Sequence, residues 1–159
     1  MRYLLGLDIG TSAVKAILLE TGGHLVGSVM EEYPLSTPRP GWSEQNPEDM
    51  WQATLRAISG IITKFAVRPD SILALGLSGQ MHSSVFLDRD QEVIRPAILW
   101  NDVRTSAQCR LIEDTIDPAV LRSEVCNPVL EGFTLPKVLW LKEHEPENYA
   151  KLRHLVLPK

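Results

Sequence analysis

Short apolar runs broken by Gly, Ser and Thr open the chain. Residues 2–9 read RYLLGLDI, residues 14–19 VKAILL and residues 24–29 HLVGSV. Brief Gly- or Ser/Thr-containing turns separate them, a pattern that predicts three strands in an antiparallel meander. Residues 33–47, YPLSTPRPGWSEQNP, carry too many fixed φ angles and missing N–H groups for regular structure and read as a surface connection. Helix signals follow. Asn46 is placed to cap, Pro47 stands at the first helical position, and Glu48 and Asp49 fall at the positive end of the dipole. Trp51, Leu55, Ile58, Ile62 and Phe65 recur at helical spacing, which predicts a helix to about residue 66 with this stripe in the core.

Further on, ILALGLS (72–78) reads as a strand buried on both faces. SSVFLD (83–88) either pairs back on it or continues beyond a kink. RPAILWND predicts another strand ending at Trp100. Helix follows from Arg104 to about Thr115, then a short one near Asp117–Pro118, then one or two within TLPKVLWLKEHEPENYAKL. HLVLPK is apolar and strand-like at the extreme terminus. An unpaired edge there leads us to expect a piece of a longer chain.

With 159 residues, 44% of them hydrophobic and 23% charged, the chain has enough apolar material for one domain with a real core. The net charge of −4 and scattered basic residues argue against nucleic acid or anionic lipid as partners. Cys109 and Cys126 form no metal-binding or redox spacing, so reduced thiols are expected. Gly6, Asp8 and Gly10 interrupt the only apolar run near the amino end. No signal peptide or membrane span is expected, and a cytoplasmic protein is.

Three constellations carry chemistry. In DIGTSAVK a strand ends at Asp8, Gly10 lets backbone approach a ligand, Thr11 and Ser12 add hydroxyls and turn N–H groups, and Lys15 lies on the returning strand. Such a hairpin suits an anion. A carboxylate beside a phosphate needs a cation between them, so Asp8 implies Mg²⁺ held through water. Alternatively, Asp8 closes an Asx turn and bonds only backbone N–H groups. Neither a P-loop nor a dinucleotide fingerprint is present.

In LSGQMHSS a strand runs out into Gly79, Gln80, Met81 and His82. Ligands of α/β sheets sit beyond strand carboxyl ends, where His82 could bond a hydroxyl and Met81 supply an apolar wall; the alternative is a solvated histidine. LWNDVRT crowds Trp100, Asn101, Asp102 and Arg104 at a strand end. A ring beside polar groups suits a sugar, while Asp102 as a helix cap with Trp100 in the core is the competing account.

Taken in order, GLDIGTSAVK, PGWSEQNPEDMW, LSGQMHSSVFLD, RPAILWNDVRT and HLVLPK resemble the amino-terminal part of the FGGY carbohydrate kinase family, across essentially all 159 residues. That resemblance implies an α/β, actin-like and ribonuclease H-like fold: a mixed sheet that begins with the meander and is flanked by helices, here an incomplete first lobe. GQMH is similar to the branch acting on D-xylulose rather than on glycerol, although some gluconate kinases carry a like Met-His pair.

ATP-dependent phosphorylation of D-xylulose at its 5-hydroxyl is thereby implied, with ATP and Mg²⁺ as cofactors and a homodimer as a compatible assembly. Asp8 matches the metal-linked aspartate; Gly10, Thr11, Ser12 and Lys15 match the phosphate hairpin; Gln80, Met81, His82, Trp100, Asn101 and Asp102 fall in the sugar-binding segments. The family's catalytic base and second lobe match nothing in this chain. The isolated chain is accordingly expected to be nearly inactive. A non-catalytic sugar- or nucleotide-binding actin-like module is the rival from another class.

Overall fold

The structure, a computed structural model, describes residues 1–159. In chain order it contains strands β1 (Tyr3–Ile9), β2 (Ala13–Glu20), β3 (Leu25–Glu32) and β4 (Glu44–Gln45), helix α1 (Pro47–Lys64), and strands β5 (Ile72–Gly79), β6 (Val85–Leu87) and β7 (Ala97–Ile98). Helices α2 (Ser106–Thr115), α3 (Pro118–Val120), α4 (Thr134–His144) and α5 (Pro146–Lys151) precede strand β8 (His154–Val156). Contacts divide the chain into two compact units. The first comprises residues 1–35, 46–80 and 158–159, the second residues 36–45 and 81–157.

In the first unit the predicted meander forms, and β5 adds to it in parallel with β1, giving the order β3-β2-β1-β5. Strand alternation decides which face closes. Leu5, Leu7 and Ile9 of β1 and Val14, Ala16 and Leu18 of β2 are buried, while Asp8, Lys15 and Ile17 point to the other side. Helix α1 packs chiefly on β2 and β3. Its start follows the sequence signals: the Asn46 side chain accepts from the Glu48 N–H at 3.1 Å, and Pro47 begins the helix.

The predicted core stripe of α1 is displaced. Met50, Ala53, Thr54, Ala57 and Ile61 are buried, whereas Trp51 and Leu55 are exposed and Ile58, Ile62 and Phe65 only half-buried. Small Ala53 and Ala57 let the helix axis come close to the sheet, so that face wins over the bulkier one. The fit is tight at the flanks. A Cβ on Gly60 would lie 3.0 Å from a Val29 methyl, and one on Gly27 would lie 2.2 Å from the Phe65 ring, which occupies that space. Strand β5 is also not buried on both faces as expected. Leu73, Leu75 and Leu77 are about half exposed, because β5 is the sheet edge and α1 lies over β2 and β3.

In the second unit β4 pairs with β7 and β6 with β8, both antiparallel. Residues 83–88 therefore do not return to β5, and the HLVLPK run does not lie unpaired: Val156 stands opposite Val85. The strand expected before Trp100 shortens to Ala97–Ile98. Phe86, Ile98, Trp140 and Leu141 form the core, with Trp42 and Ile94 packed against them.

A buried ionic group runs through this unit. Arg104, whose side chain is 1% exposed, pairs with Asp102 and Glu44 at 2.7 Å each and lies over the Trp42 and Trp140 rings. Arg95 also reaches Glu44 and stands 3.4 Å from Glu145. No helix is long and apolar enough to cross a membrane.

Candidate functional site

Asp8 sits at the carboxyl end of β1, exposed, directly opposite Lys15 on β2. Its carboxylate takes no hydrogen bond and closes no ion pair, and its charge is felt at the Tyr33 phenol. The Asx-turn alternative therefore does not describe it. The turn is closed by backbone instead, through the Gly10 N–H to the Ala13 carbonyl at 3.1 Å.

Support for the turn comes from Tyr33, which the sequence did not mark, and from Gln80. The Tyr33 hydroxyl donates to the Gly10 carbonyl, the Tyr33 N–H donates to the Ser12 carbonyl at 3.3 Å, and Gln80 Nε2 reaches the Gly10 carbonyl at 3.4 Å. Burial, reinforced by the Asp8 charge, pushes the Tyr33 hydroxyl up to about 12. Beside the turn, a cavity of about 380 Å³ is lined by Gly6, Asp8, Lys15, Ile17, Gly76 and Ser78. Gly76 leaves bare backbone there, with nothing within 4 Å of where a Cβ would stand.

Gln80 was expected among the sugar-binding residues. It is 5% exposed, and its side chain braces the hairpin. Its amide finds a carbonyl in the turn because the Gln80 N–H is itself tied to the Ile9 carbonyl at 2.9 Å, continuing the β1–β5 pairing.

In the second unit Met81, His82, Trp100, Glu131, Gly132 and Phe133 line a cavity of about 410 Å³. Met81 and Trp100 are about half exposed there. His82 has φ of 56°, a left-handed conformation uncommon for a residue with a Cβ, and its ring stacks on Phe133 with centroids 4.3 Å apart. Ser83 Oγ accepts from the Trp100 N–H at 3.1 Å, which ties the two predicted segments together. An apolar ring, a thioether and an imidazole on one concave surface can take a sugar by its faces and its hydroxyl rim.

Asn101 is exposed and does not line this cavity. Asp102 does not line it either. It is fully buried, and its oxygens accept from the Ser43 N–H at 2.6 Å, the Arg104 N–H at 3.0 Å, and Arg104 Nε and Nη2 at 2.9 and 2.7 Å. A carboxylate so fully engaged has no lone pair directed at a ligand. Nor does it cap α2, whose N-cap is Thr105.

Sequence reasoning missed Lys137, Phe133 and Gly132. Lys137 is wholly buried, and its Nζ donates to the His82 and Gly132 carbonyls at 2.7 Å each. Burial draws its ammonium down to about 8; Asp102 opposes that change and Arg104 adds to it. The available signal was a single charge inside the apolar run TLPKVLWL.

Residues 3–159 match the N-terminal domain of the FGGY family of carbohydrate kinases. The chain is 46% identical over 159 residues to a xylulose kinase of Bacillus subtilis (strain 168), covering 100% of this chain and 32% of that protein. It is 43% identical over 155 residues to a xylulose kinase of Escherichia coli (strain K12), covering 98% of this chain and 31% of the relative. A solved xylulose kinase from Brucella ovis superimposes with a TM-score of 0.93 at 40% identity, over 99% of this chain and 33% of that one. The chain thus spans about a third of the length of the relatives it matches. Its mixed sheet and flanking helices are the actin-like arrangement of those sugar kinases, and the chain belongs to the FGGY family of carbohydrate kinases.

Proposed function

We propose that this chain is the amino-terminal part of a kinase that transfers a phosphoryl group from ATP to the 5-hydroxyl of D-xylulose. The observation that carries the proposal is likeness to xylulose kinases over the whole chain, at 46% in the first of them against 32% for a glycerol kinase of Thermococcus gammatolerans. The two cavities supply residues of the right chemistry for each substrate. Free thiols at Cys109 and Cys126 suit a reducing, cytoplasmic setting.

The hairpin fits a magnesium–nucleotide. An exposed, unpaired Asp8 carboxylate faces Lys15, and glycine backbone lies beside both. No group of three or more His, Cys, Asp or Glu side chains is arranged to hold a metal ion. A divalent ion here would therefore rely on Asp8, water and phosphate oxygens, the usual habit of Mg²⁺. When bound, it supplies charge neutralisation on the phosphates.

The chain's own residues position the reactants. Thr11 and Ser12 offer hydroxyls and N–H groups to phosphate oxygens, and Lys15 adds positive charge. His82 orients a sugar hydroxyl while Met81 and Trp100 exclude water from the apolar face of the sugar. We assign the role of base for the attacking hydroxyl to none of these residues.

The test is a substrate panel on the full-length protein, with ATP and magnesium and equal concentrations of D-xylulose, D-gluconate and glycerol. Formation of D-xylulose 5-phosphate with the highest kcat/KM is expected. Preference for gluconate or glycerol overturns the assignment.

A further inference from the structure

We infer that Lys137 is the positioning residue of the sugar cavity: its buried ammonium holds the carbonyls of His82 and Gly132 and so fixes where the His82 ring and the Trp100 wall stand. The inference rests on the proposal above that His82 contacts the sugar.

Lysine is almost never fully buried without a counter-charge. Lys137 is 0% exposed and pairs with no carboxylate; two main-chain oxygens take the place of water. Those oxygens belong to two separate walls of the cavity. The first is the carbonyl of His82, whose left-handed backbone is unfavourable for a residue with a Cβ and needs something to hold it. The ammonium does so, and Thr134 Oγ1 approaches the same carbonyl at 3.4 Å.

The second oxygen belongs to Gly132, which lies so close to Trp100 that a Cβ there would stand 2.2 Å from the Trp100 carbonyl oxygen. Trp100 is in turn bonded through its N–H to Ser83, the residue after His82. One ammonium thus closes a loop of contacts through His82, Ser83, Trp100 and Gly132. Truncating it would free the histidine peptide to relax to negative φ, turning the imidazole off its Phe133 stack.

The experiment is a double-mutant cycle in the full-length protein, with D-xylulose and ATP as the varied substrates. Lys137→Met should raise the KM for D-xylulose about tenfold or more and leave the KM for ATP within about twofold. In a His82→Ala background the same substitution should add little, because its effect passes through the missing ring. An unchanged sugar KM, equal losses in both backgrounds, or equal increases in both KM values overturns the inference.

His82→Ala with an unaltered sugar KM would instead overturn the sugar contact, and the role of Lys137 with it. Should Lys137→Met not fold, the wild-type protein answers by NMR. Saturating D-xylulose should shift the Lys137 Nζ signal together with the His82 ring protons, and a His82 shift alone overturns the proposal.

Discussion

The guanidinium carbon of Arg104 lies 3.7 Å from the centre of the Trp42 ring, and the same side chain holds Asp102 and Glu44. Trp42 comes from a proline-rich connection and Arg104 from a segment some sixty residues later, so this stack closes a long loop of chain. The ring face favours the cation; Asp102 accepts from Nε and Nη2, while Nη1 stands 2.7 Å from Glu44 as an ion pair without a hydrogen bond, all at the cost of burying charge.

Arg104→Met should therefore destabilise strongly, by about 3–5 kcal/mol, because Asp102 and Glu44 would remain buried without their partner. Urea denaturation measures this. A loss under about 1 kcal/mol would mean that water reaches the carboxylates once the arginine is gone.

Asp8→Asn in the full-length protein should lower kcat by about a hundredfold or more while the thermal midpoint barely moves. The carboxylate touches no protein donor, so folding does not depend on it. Steady-state kinetics paired with a melting curve decides, and near wild-type turnover would remove the metal role.

The pH dependence of stability carries two opposite signatures. Lys137 has its ammonium drawn from 10.5 to about 8 in the folded protein. Between those values the unfolded chain binds more protons, so stability rises with pH across that window. Tyr33 runs the other way. Raised from 10.0 to about 12, it favours the folded state below pH 10 and loses that contribution as pH climbs to 12. The urea midpoint of wild type minus that of Lys137→Met should grow from pH 8 towards pH 10. A flat difference would show that the ammonium is not desolvated.

Gly132→Ala should cost about 1–3 kcal/mol and raise the sugar KM, since the added methyl meets a main-chain oxygen that cannot swing aside. Calorimetry and sugar kinetics together check this. Wild-type stability in the variant would show that the loop yields freely.

Much of the architecture could be read along the chain. The three-strand meander, the Asn46–Pro47 helix start and the tight turn at Gly10 all rest on contacts close in sequence, or on Gly and Pro whose dihedral preferences need no tertiary partner. Met81, His82 and Trp100 were legible too, as residues at strand ends. Errors arose where partners are distant. Side-chain size points to the Trp51–Leu55 face of α1 as the core, whereas close approach to β2 and β3 selects the face of Ala53 and Ala57. Strand β5 looked buried from its apolarity alone, although burial depends on what lies beyond the edge.

Local covalent preference and spacing, then, determined most of the elements, because φ restriction, capping and side-chain alternation act over a few residues. Tertiary structure alone decided the fate of the charges. Asp8 and Asp102 look alike in sequence, each a carboxylate at the end of an apolar run. One stands free opposite Lys15, and the other is sealed beneath Arg104 and Trp42. Which of them can meet a ligand depends on the desolvation and pairing that distant chain segments impose, and no window of local sequence contains those segments.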